Sequence, residues 1–120
     1  MKSEHHEQCR FFNYVNFLSS LHQDEKELIY AVPSGGYRKP TEAIRLKAEG
    51  VRTGIPDVSV DLPRGGFHGM RIEMKRGKGG SLSPDQVRKH ELLRKQGYYV
   101  VTCNSAEIAI TELEKYLGTN

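Results

Sequence analysis

Two acidic residues and a lysine stand out by type and spacing. Asp57 closes the run Gly54-Ile55-Pro56-Asp57, and after fifteen intervening residues comes Glu73-Met74-Lys75. Asp57 lies just ahead of Val58-Ser59-Val60-Asp61-Leu62, an alternating run that predicts a strand, and it shares the parity of Ser59 and Asp61. From Gly69 to Arg76 the alternation is sharper: Met70, Ile72 and Met74 face one way, Arg71, Glu73 and Lys75 the other. Pro63-Arg64-Gly65-Gly66 supplies a turn, so the two runs form a hairpin with a longer loop. Pairing of these strands brings Asp57 and Glu73 together. Neighbouring carboxylates repel, which raises a pKa and costs stability unless a cation sits between them. Hard oxygen ligands suit Mg²⁺ or Mn²⁺, which keep several waters and share phosphate oxygens. Such an ion lowers the pKa of a water and neutralises charge developing on a phosphate. Lys75, beside it, is placed to orient the attacking water or to stabilise the transition state.

The elements that must position these groups follow from periodicity. Phe11, Tyr14, Val15, Leu18 and Leu21 form one helical stripe. Extended backward, it lands on Glu7 and Glu4, two carboxylates at the N-terminal end of an inward face. Either could complete a metal shell, and the sequence leaves the choice open. A polar stretch, His22 to Glu27, leads to a short strand over Leu28 to Val32, broken by Pro33-Ser34-Gly35-Gly36. Thr41 to Glu49 has helical composition, with Gly50 at C′. After the hairpin, Gly77 to Ser81 is a basic loop. Ser83 as N-cap, Pro84 at N1 and Gln86 at N3 then start a helix that runs to about Gln96 and stops at Gly97. Tyr98 to Cys103 is a β-branched and aromatic strand. Asn104 caps a last helix with the stripe Ala106, Ala109, Ile110, Leu113 and Leu117. Helix, strand, short helix, hairpin, helix, strand, helix predicts an α/β domain with a mixed sheet.

A chain of 120 residues, 37% hydrophobic and 28% charged, suits a single domain spanning 1–120 with one core. The net charge of +3 and pI near 8.9 are mildly basic, compatible with a polyanionic partner but not diagnostic of one. Cys9 and Cys103 form no CxxC pair and are expected to be reduced and buried. Met1 to Arg10 is polar, without the apolar segment of a signal peptide, and no apolar run reaches membrane-spanning length. A soluble intracellular protein without membrane contact is expected. Zinc catalysis is disfavoured, because His5-His6-Glu7 is no HExxH motif and His22, His68 and His90 are scattered. A Ser-His-Asp hydrolase lacks its GxSxG elbow.

The ordered set of motifs resembles the VRR-NUC domain, the virus-type replication-repair nuclease branch of the PD-(D/E)XK superfamily. The matching stretches are Glu4-His5-His6-Glu7-Gln8, Pro33-Ser34-Gly35-Gly36-Tyr37-Arg38, Leu46 through Asp57, Ile72-Glu73-Met74-Lys75-Arg76 and Leu82-Ser83-Pro84-Asp85-Gln86. Together they cover nearly the whole chain, as in stand-alone phage and prophage members. Ser34 stands where the family pattern favours Asn.

The resemblance implies a restriction-endonuclease-like core, a small mixed β-sheet flanked by α-helices. It implies Asp57 and Glu73 as metal ligands, Lys75 as the catalytic lysine, and Glu4 or Glu7 as the remaining acidic ligand. Gln86 matches a glutamine placed near such sites. Gly36, Arg38, Arg76 and Lys78 are candidates for DNA contact. The implied activity is divalent-metal-dependent endonucleolytic hydrolysis of DNA with Mg²⁺ or Mn²⁺ and no organic cofactor. Branched or Holliday-junction DNA is the expected substrate, and a homodimer would match a junction's two-fold symmetry. By the same resemblance the protein is placed in the cytoplasm of a bacterial host, encoded by a phage or prophage.

Plainer roles compete at each position. Glu4 and Glu7 suit a helix N-terminus, and Asp57 after Pro56 suits a turn. Glu73 and Lys75 suit a solvent face, and Gln86 suits a capping box with Ser83. Gly36 and Arg38 suit a plain loop, and Arg76 and Lys78 suit solvated loop charges. The alternative functions are a catalytically silent DNA-binding module and a phage accessory interaction protein of the same fold.

Overall fold

The computed structural model describes residues 3–33, 39–75 and 81–118. In chain order the elements are α1 (Glu4–Asn16), α2 (Gln23–Lys26), β1 (Ile29–Ala31), α3 (Pro40–Ala48), β2 (Val58–Val60), β3 (Met70–Met74), α4 (Pro84–Lys95), β4 (Tyr99–Cys103) and α5 (Ala106–Leu117). The strands form one mixed sheet in the order β1-β2-β3-β4. β2 pairs antiparallel with β1 and with β3, and β3 pairs parallel with β4. The expected hairpin and the α/β class are both present.

Alternation in β2 and β3 gives the sheet two unlike faces. Val58, Val60, Met70, Ile72, Met74 and Cys103 are almost fully buried and join one core with Phe11 and Val15 of α1 and Ala109 and Leu113 of α5. The other face carries Ser59, Asp61, Arg71 and Glu73. It is the face met by α4, the crossover that a parallel β3–β4 pair requires.

Helix termini follow local chemistry, with three departures from expectation. α1 starts where Ser3 Oγ accepts from His6 N–H (3.1 Å), but it ends at Asn16, short of Leu18 and Leu21. Lys26 Nζ donates to Asn16 O (2.9 Å), and the Phe17 and Leu18 amides close tighter turns onto Tyr14 and Val15. Leu18 and Leu21 are buried from the connection rather than from the helix. The stretch after it also contains the short α2, where His22 N–H donates to Glu25 Oε1 (2.9 Å). At α5 the cap is Ser105, whose Oγ accepts from Ile108 N–H (3.2 Å), one residue beyond the predicted Asn104.

Cys103 is buried as expected, but Cys9 lies on the exposed side of α1, and both thiols are free. Among the described residues no helix is long and apolar enough to cross a membrane.

Candidate active site

Asp57 is fixed from three sides. Its carbonyl accepts from Val32 N–H (2.7 Å), prolonging the β1–β2 ladder. Its Oδ2 accepts from Met74 N–H (2.8 Å) across the sheet at the end of β3. The loop leading into it is tied to the start of α4: Asp85 bonds Thr53 Oγ1, and Lys89 Nζ donates to Thr53 O. Gly54 allows this closeness. It has φ +78°, and a Cβ there would stand 2.8 Å from Asp85 O.

Glu73 sits on the polar face of β3 and is only 2% exposed. Its carboxyl hydrogen-bonds that of Asp57, and its pKa is pushed up to about 9. Burial is the main cause, followed by the Asp57 hydrogen bond and the Asp57 charge; Lys75 opposes the shift and the Glu4 charge adds to it. Lys75 is half-buried just past β3, where its N–H donates to Cys103 O (2.8 Å) and prolongs the pairing with β4. Residues 57, 73 and 75 therefore converge at one end of the central strand pair.

The two glutamates of α1 separate. Glu4 is exposed in the first turn, and its charge is felt at Glu73. Glu7 is 6% exposed, and its Oε1 accepts from Ala106 N–H (2.8 Å) at the start of α5, with Arg10 Nη1 3.4 Å away. Glu7 thus fastens α1 to the N-terminus of α5, where an anion meets unpaired amides. Gln86 closes the capping box: its Oε1 accepts from Ser83 N–H (2.9 Å) while Ser83 Oγ accepts from Gln86 N–H (3.1 Å). Gly36, Arg38, Arg76 and Lys78 lie outside the described residues.

One residue at the site went unnoticed in the sequence. His90, 1% exposed on α4, places Nε2 3.0 Å from Glu73 Oε1. Burial lowers its pKa, and the Arg94 charge lowers it further. The available signal was the inward stripe of α4, Gln86, Lys89, His90 and Leu93, which is polar because the sheet face it covers is polar.

Among the described residues no group of three or more His, Cys, Asp or Glu side chains forms a ready metal cage. The donor set is a carboxylate pair that shares a hydrogen bond. That fits Mg²⁺ or Mn²⁺, which are held through one or two carboxylates, better than it fits zinc.

A mixed sheet with this acidic pair and lysine on its polar face defines a nuclease-type α/β domain. The chain belongs to the VRR-NUC domain family, whose model matches residues 1–107. A solved structure described as a VRR_NUC domain protein is similar throughout, with a TM-score of 0.85 and 27% identity, covering 100% of this chain and 93% of that one. Nothing among curated proteins matches.

Proposed function

We propose that the protein is a divalent-metal-dependent endonuclease that hydrolyses DNA phosphodiester bonds. The observation that carries this reading is the Asp57–Glu73 carboxyl pair beside Lys75, an arrangement that is costly alone and relieved by a cation. Asp57, Glu73 and Glu4 would hold the ion, Mg²⁺ or Mn²⁺. When bound, it supplies charge neutralisation at the phosphate and a water acidic enough to act as nucleophile. Asp57 is kept in place by Met74 N–H, which fixes the carboxylate that would hold the ion. Lys75 would steady the attacking water and the pentacoordinate phosphorus; as the new P–O bond forms in line, the water gives up a proton to solvent, the bond to the leaving oxygen breaks and that oxygen takes a proton from solvent water. The Gln86 amide would donate to the same phosphate or water.

Family membership supports a nuclease; branched or junction DNA and a homodimer are our extension of it. Gly36, Arg38, Arg76 and Lys78 are assigned to the DNA backbone. Each cation converted to Ala is expected to lower the salt slope of binding by about 0.9.

The test is incubation of the purified protein with junction, flap and linear DNA in Mg²⁺, Mn²⁺ or EDTA, with its mass measured alone and with junction DNA. Cutting only with metal, lost in D57A, E73A and K75A, is expected. Metal-independent binding without cutting would replace the reading with a silent DNA-binding module. Absence of both would replace it with an accessory protein, and a monomeric mass in both states would remove the dimer.

A further inference from the structure

We propose that His90 is a positioning residue for Glu73: it donates from Nε2 to Glu73 Oε1 and leaves Oε2 as the oxygen offered to the cation. The inference rests on the metal-dependent reading above and adds a residue to it.

The contact is short at 3.0 Å, and both partners are sealed from solvent, with side chains 1% and 3% exposed. An ionised carboxylate only accepts, so the imidazole must then carry its proton on Nε2. That tautomer leaves Nδ1 a bare lone pair, and Nδ1 is the one buried side-chain polar atom without a partner among the described residues. A leucine or methionine would fill the same space and relieve Nδ1, but it would leave the buried Glu73 Oε1 without this partner. The imidazole is placed by its contact with Glu73, and orienting a ligand's carboxylate is a recurrent task of such a hydrogen-bonded neighbour.

The helix is built to hold that aim. A capping box fixes its start, and Arg94 Nη2 donates to Val100 O (3.1 Å) near its end. Lys89 and Asp85, on the same helix, grip Thr53 ahead of Asp57. α4 thus braces both acid-bearing segments at once, and His90 is its direct link to Glu73.

The test compares H90Q with H90N in the full chain. Glutamine's amide nitrogen reaches the place of Nε2, whereas asparagine's stops near Nδ1. Free Mn²⁺ is counted by electron paramagnetic resonance without DNA, with thermal unfolding run alongside. Wild-type and H90Q proteins are expected to bind Mn²⁺ within about 3-fold of each other, and H90N roughly 10–100-fold more weakly. Equal weakening in both variants, or unchanged affinity in folded H90N, overturns the positioning role.

A second measurement needs no variant. Nitrogen-15 spectra of histidine-labelled wild-type protein with Mg²⁺ should show the His90 proton on Nε2; a proton on Nδ1 instead refutes the proposal. Wild-type protein that binds no Mn²⁺ defeats the functional reading and this inference with it. Wild-type binding that H90N leaves intact defeats only this inference.

Discussion

Glu4 and Glu7 lie one helical turn apart, yet their substitution should affect different properties. Glu7 Oε1 accepts from Ala106 N–H at 2.8 Å, and both partners are buried. A charge-assisted bond of this kind contributes about 1.5–3 kcal/mol, and removing the acceptor strands a buried amide. Glu7→Ala should therefore cost about 2–3 kcal/mol. At roughly 3–5 °C per kcal/mol for a domain of this size, Tm should fall by about 6–15 °C. Glu7→Gln keeps an acceptor oxygen but loses its charge, so about half that loss is expected. Neither change should move Mn²⁺ affinity more than about 2-fold while the protein stays folded, since the carboxylate is committed to α5. Glu4→Gln, at an exposed position, should alter stability by less than about 0.5 kcal/mol. It should weaken Mn²⁺ binding roughly 10-fold or more. Urea unfolding and Mn²⁺ titration on the same preparations read both quantities. If E7Q loses the metal and E4Q keeps it, the separation of the two glutamates is wrong.

Asp57→Asn should abolish cleavage, by more than roughly 100-fold. It should not lower the Tm of the metal-free protein, because the amide oxygen still accepts from Met74 N–H and the carboxylate repulsion is gone. The raised Glu73 pKa means the folded metal-free state holds a proton that the unfolded chain releases near 4.5. Stability in EDTA should therefore fall as pH climbs from about 5 towards 9, and Mg²⁺ or Mn²⁺ should remove that fall. A Tm in EDTA that rises across this window would contradict the assignment. Gly54→Ala should cost about 1–3 kcal/mol, because φ +78° and the 2.8 Å approach to Asp85 O both resist a Cβ. Crystallography of that variant should find the Asp57 loop shifted away from α4.

What could be read from the sequence was local or of short period. Alternation in Met70–Met74 and the turn at Pro63-Arg64-Gly65-Gly66 sufficed to bring Asp57 and Glu73 side by side, because an antiparallel pair leaves little choice of register once one face is buried. Ser83, Pro84 and Gln86 marked the start of α4 to the residue, since a capping box is a contact within one turn. The different surroundings of Glu4 and Glu7 were not legible. They differ because Ala106, remote in sequence, meets Glu7 only through the packing of α1 on α5. His90 was hidden for the same reason: a lone histidine gains meaning from the strand beneath its helix. α1 ends early because Lys26 reaches back to Asn16, a contact that no hydrophobic stripe encodes. Cys9 is exposed because it falls outside the Phe11–Val15 face, although free cysteines usually favour the interior.

Diffraction from crystals soaked in Mn²⁺, with data at the manganese absorption edge, would show whether a cation sits between the two carboxylates. One anomalous peak bounded by the Asp57 and Glu73 carboxylates is expected, with His90 still on Glu73 Oε1. A well-ordered site without that peak, or a peak only at the exposed His5-His6 pair on α1, would contradict the proposed metal site.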